Sequence, residues 1–289
     1  RDPCFAVVSS NDVVISQTVV ESEGNDLWED LARRGKKGEI DAILHVGNQV
    51  FMDSGLYTYM DGQKILETNP DESVWWQCVQ LVESRGGGYA VTEDLLDEVT
   101  ARMRSVWHET WGHESTRDAL AFSSNMMIYG DREIRNDWGE SPEDSCYFNR
   151  PEDLVELLRS PPQSPKGDPR HRVFNPNRSR PGQKVLDPTT TLLGAIAYRL
   201  VVEYEKQLYE DIPVEHLWGD PRTAQKSLFQ ALTVKLPGPD YHFWRFGDVG
   251  ILFMDVRGCR SFYREHYPVM VDGDFGEEAL EFPMLGTRQ

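Results

Sequence analysis

Acidic and amide side chains follow three short apolar runs of the chain. They lie in the segments Ser9–Asp12, Gly47–Asp53 and Gly130–Asp137. In a parallel sheet the carboxyl ends of the strands meet at one rim, where chemistry collects, so we expect these segments to lie together. A rim with carboxylates from several strand ends can hold two divalent cations for the hydrolysis of a phosphate ester. Metal-assisted hydrolysis is therefore the first chemistry that these residue types indicate.

The apolar runs that precede these side chains predict buried strands, because short runs rich in Val, Ile and Leu are typical of them. The runs are found within Cys4–Asp12, Glu39–Gln49 and Asn125–Asp131. Their alternation with helical segments is typical of βαβ units and predicts an α/β fold with a mostly parallel sheet.

Two helices are predicted between these strands. Leu27, Trp28 and Leu31 share one face of a helix over Asn25–Arg34. The second begins at Thr92, a favourable N-cap residue, and carries two acidic residues in its first turn.

The second half of the chain has a different composition. Gly139–Thr190 contains nine prolines, and we expect a long surface excursion with one short helix over Pro151–Leu158. Leu192–Leu208 predicts an amphipathic helix, and Tyr241–Arg257 predicts a hairpin that turns at Gly247–Asp248 and continues as a strand to Asp255.

Composition excludes several classes of function. The 289 residues include 30 basic and 48 acidic side chains, a formal net charge of −18, which argues against a general nucleic-acid surface. No stretch approaches the roughly 18 apolar residues of a membrane span. The four cysteines lie far apart and form no CxxC pair, which excludes a zinc ribbon but leaves disulfide pairing open.

The wording of the strand-end segments resembles one family, the PhoD-like alkaline phosphatases and phosphodiesterases, a branch of the calcineurin-like metallophosphoesterases. SSN at Ser9–Asn11 is similar to that family's first motif. HVGNQVFMD at His45–Asp53 and YGDREIRNDWG at Tyr129–Gly139 are similar to its second and third. Tyr241–Arg260 and Met284–Gln289 resemble later segments in the same order.

This resemblance implies a metallophosphoesterase-like domain over residues 1–289, incomplete because the family's later metal-binding motifs would follow Gln289. It implies iron and calcium as metals and a phosphate ester as substrate. The implied metal-ligand positions are Ser10, Asn48, Asp53 and Asp131, and the implied catalytic residues are Asp131, Arg132 and Glu133.

Several of these positions depart from the family pattern. Ser10, Asn48 and Phe51 stand where the family has Cys, Asp and Tyr, and these replacements remove a soft thiolate and a bridging charge. Arg132 stands at a His position; it suits phosphate oxygens but cannot generate a hydroxide. His45, inside an apolar run, is expected to be a hydrogen-bonded core histidine.

Two functions follow as hypotheses. The first is a pseudophosphatase that has lost its metals and works as a binding or structural module with protein partners. The second is a divergent metal-dependent phosphomonoesterase or phosphodiesterase in which Asn48, Asp131 and later residues hold the metals.

Overall fold

The computed structural model describes residues 2–13, 24, 26–54, 58–60, 63–65, 73–87, 91–136, 138, 188–213, 218 and 240–256. Most of the predicted excursion, the predicted helix Pro151–Leu158, Cys146 and Cys259 lie outside these residues. Cys4 is an exposed free thiol and Cys78 a buried one. None of the described helices is both long enough and apolar enough to cross a membrane.

The described part of the chain contains both strands and helices. In chain order the first elements are β1 (Phe5–Val8), α1 (Leu27–Lys36), β2 (Ala42–Val46), β3 (Thr58–Met60), β4 (Gln63–Ile65), α2 (Val74–Ser84) and α3 (Glu93–Gly112). Then follow α4 (Glu114–Phe122), β5 (Ser124–Ile128), α5 (Pro188–Tyr204), a 3₁₀ turn (Lys206–Leu208), β6 (His242–Phe246) and β7 (Val249–Phe253).

The mixed α/β prediction is confirmed by a three-stranded sheet in the order β1-β2-β5, in which both pairs are parallel. Phe5 is aligned with Ala42, and Ala42 with Ser124. The equal register brings the carboxyl ends of all three strands to the same edge. β3 and β4 form an antiparallel hairpin, and β6 and β7 form another.

The two faces of the sheet are covered differently. Ile43 and its neighbours pack against α1 and α4 through Ala32 and Ala119. The other face packs against the β6–β7 hairpin, where alternate residues such as Ile251 and Phe253 point inward. This two-sided burial explains why the strands are nearly continuous apolar runs.

A larger core lies among α2, α3 and α5, together with apolar residues of the loops that follow β2 and β5. α3 begins as predicted, with Thr92 Oγ1 accepting from the Leu95 N–H at 3.3 Å. Gly194 on α5 allows the indole of Trp138 to pack against the helix, because an added Cβ would lie 2.7 Å from Trp138 Cζ2. The loops that follow β2 and β5 are therefore packed against these helices.

Some predicted boundaries were wrong. Pro188–Thr190, assigned to the excursion, form the first turn of α5, where proline is tolerated because the first N–H groups need no partner. α5 ends at Tyr204, and β7 ends at Phe253 rather than Asp255. Leu27 is 78% exposed and does not join Trp28 and Leu31 in the core.

Candidate functional site

The three strand-end loops contact one another through their backbones. The Ser10 N–H donates to the Gly47 carbonyl at 3.2 Å, and the Asn11 N–H donates to the Asn48 carbonyl at 2.7 Å. Gly47 has a φ of 100°, and a Cβ there would lie 2.9 Å from both N and Cα of Gly130. Such a close approach requires glycine on both loops. The predicted rim is thus formed by these three loops.

Asn48 joins the loops that follow β2 and β5. Its backbone is left-handed, with a φ of 59°, a conformation that asparagine tolerates better than most residues. Its Oδ1 accepts the N–H groups of Asp131 at 3.1 Å and of Arg132 at 3.3 Å. The atom predicted to hold a metal is therefore engaged in holding the β5 loop.

Glu133 lies beneath the rim and is fully buried. Its carboxyl accepts the N–H groups of Gln49 and, at 3.0 Å, of Gly130. Burial raises the pKa of Glu133 to about 8, although these backbone hydrogen bonds act in the opposite direction. The carboxyl that was predicted to be catalytic fastens the β2 and β5 loops together from inside.

Arg132 turns its guanidinium back onto the protein. Nη1 lies 3.3 Å from Asp53 Oδ1, Nη2 donates to Asn136 Oδ1 at 2.8 Å, and the group lies 4.9 Å from the centre of the Phe51 ring. Asp53 is 2% exposed and also accepts the Asn136 N–H at 2.7 Å. Burial raises the pKa of Asp53, while the positive charge of Arg132 and the Asn136 N–H oppose that rise. A cation of the protein itself thus accompanies this predicted metal ligand.

Ser10 is the most exposed of the predicted ligands. It also has a left-handed backbone, with a φ of 66°, and its hydroxyl lies 3.3 Å from that of Ser9. The neighbouring Asn11 is buried and donates to Thr116 Oγ1 at 3.4 Å, which fixes the loop to α4. Ser10 therefore lies at the outer edge of the rim, on a loop with a fixed backbone.

The iron and calcium implied by the resemblance do not fit this donor set. The carboxamide oxygen of Asn48 accepts two backbone N–H groups, and Asp53 is paired with Arg132. Ser10 supplies a neutral hydroxyl where a thiolate would favour a transition metal. Across the described ranges, no three His, Cys, Asp or Glu side chains are grouped so that they could hold a metal ion.

His45 behaves as predicted for a core histidine. It is fully buried, with Nδ1 2.7 Å from Gln49 Oε1 and Nε2 3.0 Å from Asn125 Oδ1. Burial lowers the pKa of His45, and the two hydrogen bonds act against that shift. The amide of Gln49 also donates to the Gly47 carbonyl at 2.9 Å, so this network supports the loop after β2.

A buried polar cluster behind the rim was not predicted. Lys206 Nζ lies 2.8 Å from Asp240 Oδ1, and the Tyr198 hydroxyl donates to Asp240 Oδ2 at 2.6 Å. Burial raises the pKa of Glu205 well above its usual range, and the charges of Glu133 and Asp240 add to the shift. The sequence held one signal: Glu205 continues the buried stripe of α5 that contains Tyr198, Val201 and Val202.

A cavity of about 340 Å³ opens at the rim, between the sheet and the β6–β7 hairpin. Its polar lining comes from Asn48, Gly130 and Asp131. The other described lining residues are mainly apolar and belong to β2, β5, β7 and the residues that follow β5 and β7: Leu44, Val46, Ile128, Tyr129, Ile251, Leu252, Phe253, Met254 and Val256. Two of the predicted site residues, Asn48 and Asp131, thus line one cavity.

Comparison of the chain with protein-family models, with curated proteins and with solved structures found no match. The class that the fold and rim define is therefore a mixed α/β domain with a small parallel sheet.

Proposed function

We propose that this chain is a metallophosphoesterase-like domain that has lost its metals and works as a binding or structural module, a pseudophosphatase. The observation that carries the proposal is the arrangement of Arg132, Asp53 and Asn136. A two-metal enzyme needs anionic ligands that are open to cations, whereas at this rim the carboxylate of Asp53 is paired with the guanidinium of Arg132.

Asn48 supports the same conclusion. A metal ligand at this position would have to release two backbone N–H groups, those of Asp131 and Arg132. Each buried donor left without a partner costs about 1–3 kcal/mol. The hydrogen bonds of the protein thus compete with a cation for the carboxamide oxygen.

Metal-dependent hydrolysis of a phosphomonoester or phosphodiester is the second candidate function. It is favoured by one observation, namely that Asn48 and Asp131 line the same cavity at the rim. In that case a bound metal would activate water for attack on phosphorus, and these two residues would be its ligands in the described part of the chain.

Metal analysis by mass spectrometry separates the two functions. The purified chain is incubated with iron, calcium, zinc and manganese and is then exchanged thoroughly into metal-free buffer. We expect no retained metal and no hydrolysis of p-nitrophenyl phosphate or bis-p-nitrophenyl phosphate. About one or two metals per chain together with hydrolysis that Asp131→Asn abolishes would overturn the proposal.

A further inference from the structure

The cavity at the rim has the size and walls of a small-molecule site. Such sites have volumes of about 300–1,000 Å³, apolar walls and a few placed polar groups. This one has a volume of about 340 Å³ and lies between two apolar walls. Leu44 and Ile128 line it on the sheet side, and Ile251 and Phe253 line it on the hairpin side. These four side chains also pack in the core cluster between the sheet and the hairpin, so the walls are part of the packed fold.

Other apolar side chains at this cavity are open to solvent. Leu252 is 61% exposed and Val46 is 50% exposed, and Met254 and Val256 are exposed as well. All four line the cavity. Removal of apolar surface from water is favourable, and exposed apolar side chains that lie together often mark a ligand site. The walls therefore favour a ligand with a compact apolar body.

Asn48 supplies a hydrogen-bond donor at the polar end of the cavity. Its carboxamide is held in place, because Oδ1 accepts the N–H groups of Asp131 at 3.1 Å and of Arg132 at 3.3 Å. These two contacts identify the oxygen of the carboxamide and leave Nδ2 as its donor. In the part of the chain that the structure describes, Nδ2 has no hydrogen-bond acceptor. Asn48 is half-buried and lines the cavity, so a ligand there can accept from this group.

A neutral acceptor suits this donor best. A carbonyl oxygen accepts hydrogen bonds, and its removal from water costs much less than the removal of a carboxylate. An ammonium group has only donors and cannot accept from Nδ2. Asp131 lines the same end of the cavity, but it has other interactions within the protein, so we assign it no ligand.

We propose that this cavity binds a small neutral carbonyl compound, an apolar aryl or alkyl body that carries one ketone or amide oxygen. The oxygen accepts from Asn48 Nδ2, and the body lies between the sheet and the hairpin. This inference rests on the proposed function, because it assumes that the carboxamide of Asn48 holds the β5 loop and does not ligate a metal.

The test uses the whole chain in metal-free buffer and three probes of similar size that differ in charge. They are 4-phenylbutan-2-one, 3-phenylpropionate and 3-phenylpropylammonium. In ligand-observed NMR and calorimetry, we expect the ketone to bind at least about tenfold more tightly than either charged probe.

The donor is tested with Asn48→Asp. This change keeps one oxygen for the N–H groups of Asp131 and Arg132 and replaces Nδ2 with a second oxygen. The ketone should bind about tenfold more weakly, and the ammonium should become the tighter probe, because the new atom accepts rather than donates. Such an inversion separates loss of the donor from loss of the fold, since a misfolded cavity would bind neither probe. Circular dichroism checks the fold.

A second variant fills the cavity without changing the rim loops, and it tests the site even if Asn48→Asp unfolds. Val46 is half exposed, so Val46→Trp should fold and should abolish ketone binding. Leu27→Trp is the matched control, because Leu27 is also exposed but lies on α1, which covers the other face of the sheet. It should leave the affinity unchanged.

Several results would overturn the inference. They are ketone binding weaker than about 10 mM, a charged probe that binds the wild type as tightly as the ketone, and ketone binding that Val46→Trp leaves intact. A folded Asn48→Asp variant with unchanged ketone affinity would do the same.

The two proposals fail separately. Retained metal and phosphate-ester hydrolysis would refute the pseudophosphatase assignment whatever the ketone does. A chain that neither retains metal nor binds the ketone would refute only the ligand inference.

Discussion

Arg132 is expected to stabilise the fold through Asp53 rather than to serve a substrate. Replacing it with methionine keeps an unbranched side chain over Phe51 and removes the charge. Asp53, only 2% exposed, would then keep the hydrogen bond from the Asn136 N–H at 2.7 Å. Removal of one partner from a buried ion pair costs about 3–5 kcal/mol.

The structure places this pair at or just below the low end of that range. The Arg132 side chain is 17% exposed, and its contact with Asp53 is 3.3 Å, longer than the best charge-assisted hydrogen bonds. We therefore expect Arg132→Met to lower the free energy of unfolding by about 2–3 kcal/mol at pH 7 in urea titrations. In the Asp53→Asn background the same change should cost about 1 kcal/mol or less, because no charge is left unpaired.

The pH dependence provides an independent check. Burial raises the pKa of Asp53 and Arg132 opposes that rise, so the Met variant raises this pKa further. A carboxyl whose pKa is raised in the folded state binds its proton more tightly there than in the unfolded state. It therefore lowers the free energy of unfolding as the pH rises above the unfolded pKa of about 3.8, and this loss disappears in acid. The deficit of Arg132→Met should therefore be smaller at pH 5 than at pH 7.

Additive costs in the double variant would refute this reasoning, as would a deficit independent of pH. A wild-type melting temperature that rises with inorganic phosphate, and that no longer does so in Arg132→Met, would instead assign Arg132 to anion binding.

Three other variants test the rim. Burial raises the pKa of Glu133 to about 8. Between about pH 4.5 and 8, the free energy of unfolding of the wild type should therefore fall by up to about 1.4 kcal/mol per pH unit relative to that of Glu133→Gln. Parallel stability curves in urea would contradict this. Burial lowers the pKa of His45, so acid below about pH 6.5 should destabilise the wild type more steeply than His45→Gln, in the same titrations. Gly130→Ala would place a Cβ 2.9 Å from Asn48 N and should cost about 1–3 kcal/mol by calorimetry, whereas Gly112→Ala, whose Cβ meets nothing within 4 Å, should not destabilise.

The parallel strands were predictable because each is an apolar run followed by polar residues, and both faces of the sheet are covered. The hairpin of β6 and β7 was predictable from the Gly247–Asp248 turn and the alternation around it. The β3–β4 hairpin was missed, although Asp61–Gly62 between its strands is a typical two-residue turn sequence.

The internal partners of the site residues could not be predicted. Sequence spacing placed Asn48 and Asp131 on one rim, but the hydrogen bonds of Asn48 depend on a left-handed backbone and on the distance between two loops. Glu205 carries a carboxyl on a helical stripe of apolar residues, and only the packing of α5 shows that this carboxyl is buried near Glu133.

Under the proposed function, the rim residues that depart from the pattern of the resembled family are consistent with one another. A carboxylate at position 48 could not share its place with Asp131 and Glu133 without strong repulsion, unless a cation lay between them. Asparagine there is neutral and can hold the N–H groups of Asp131 and Arg132 instead. Arg132 in turn balances the buried charge of Asp53, a task that a metal performs in a two-metal site. Under the proposed function, these hydrogen bonds and one guanidinium would take the place of the metal charge at this rim.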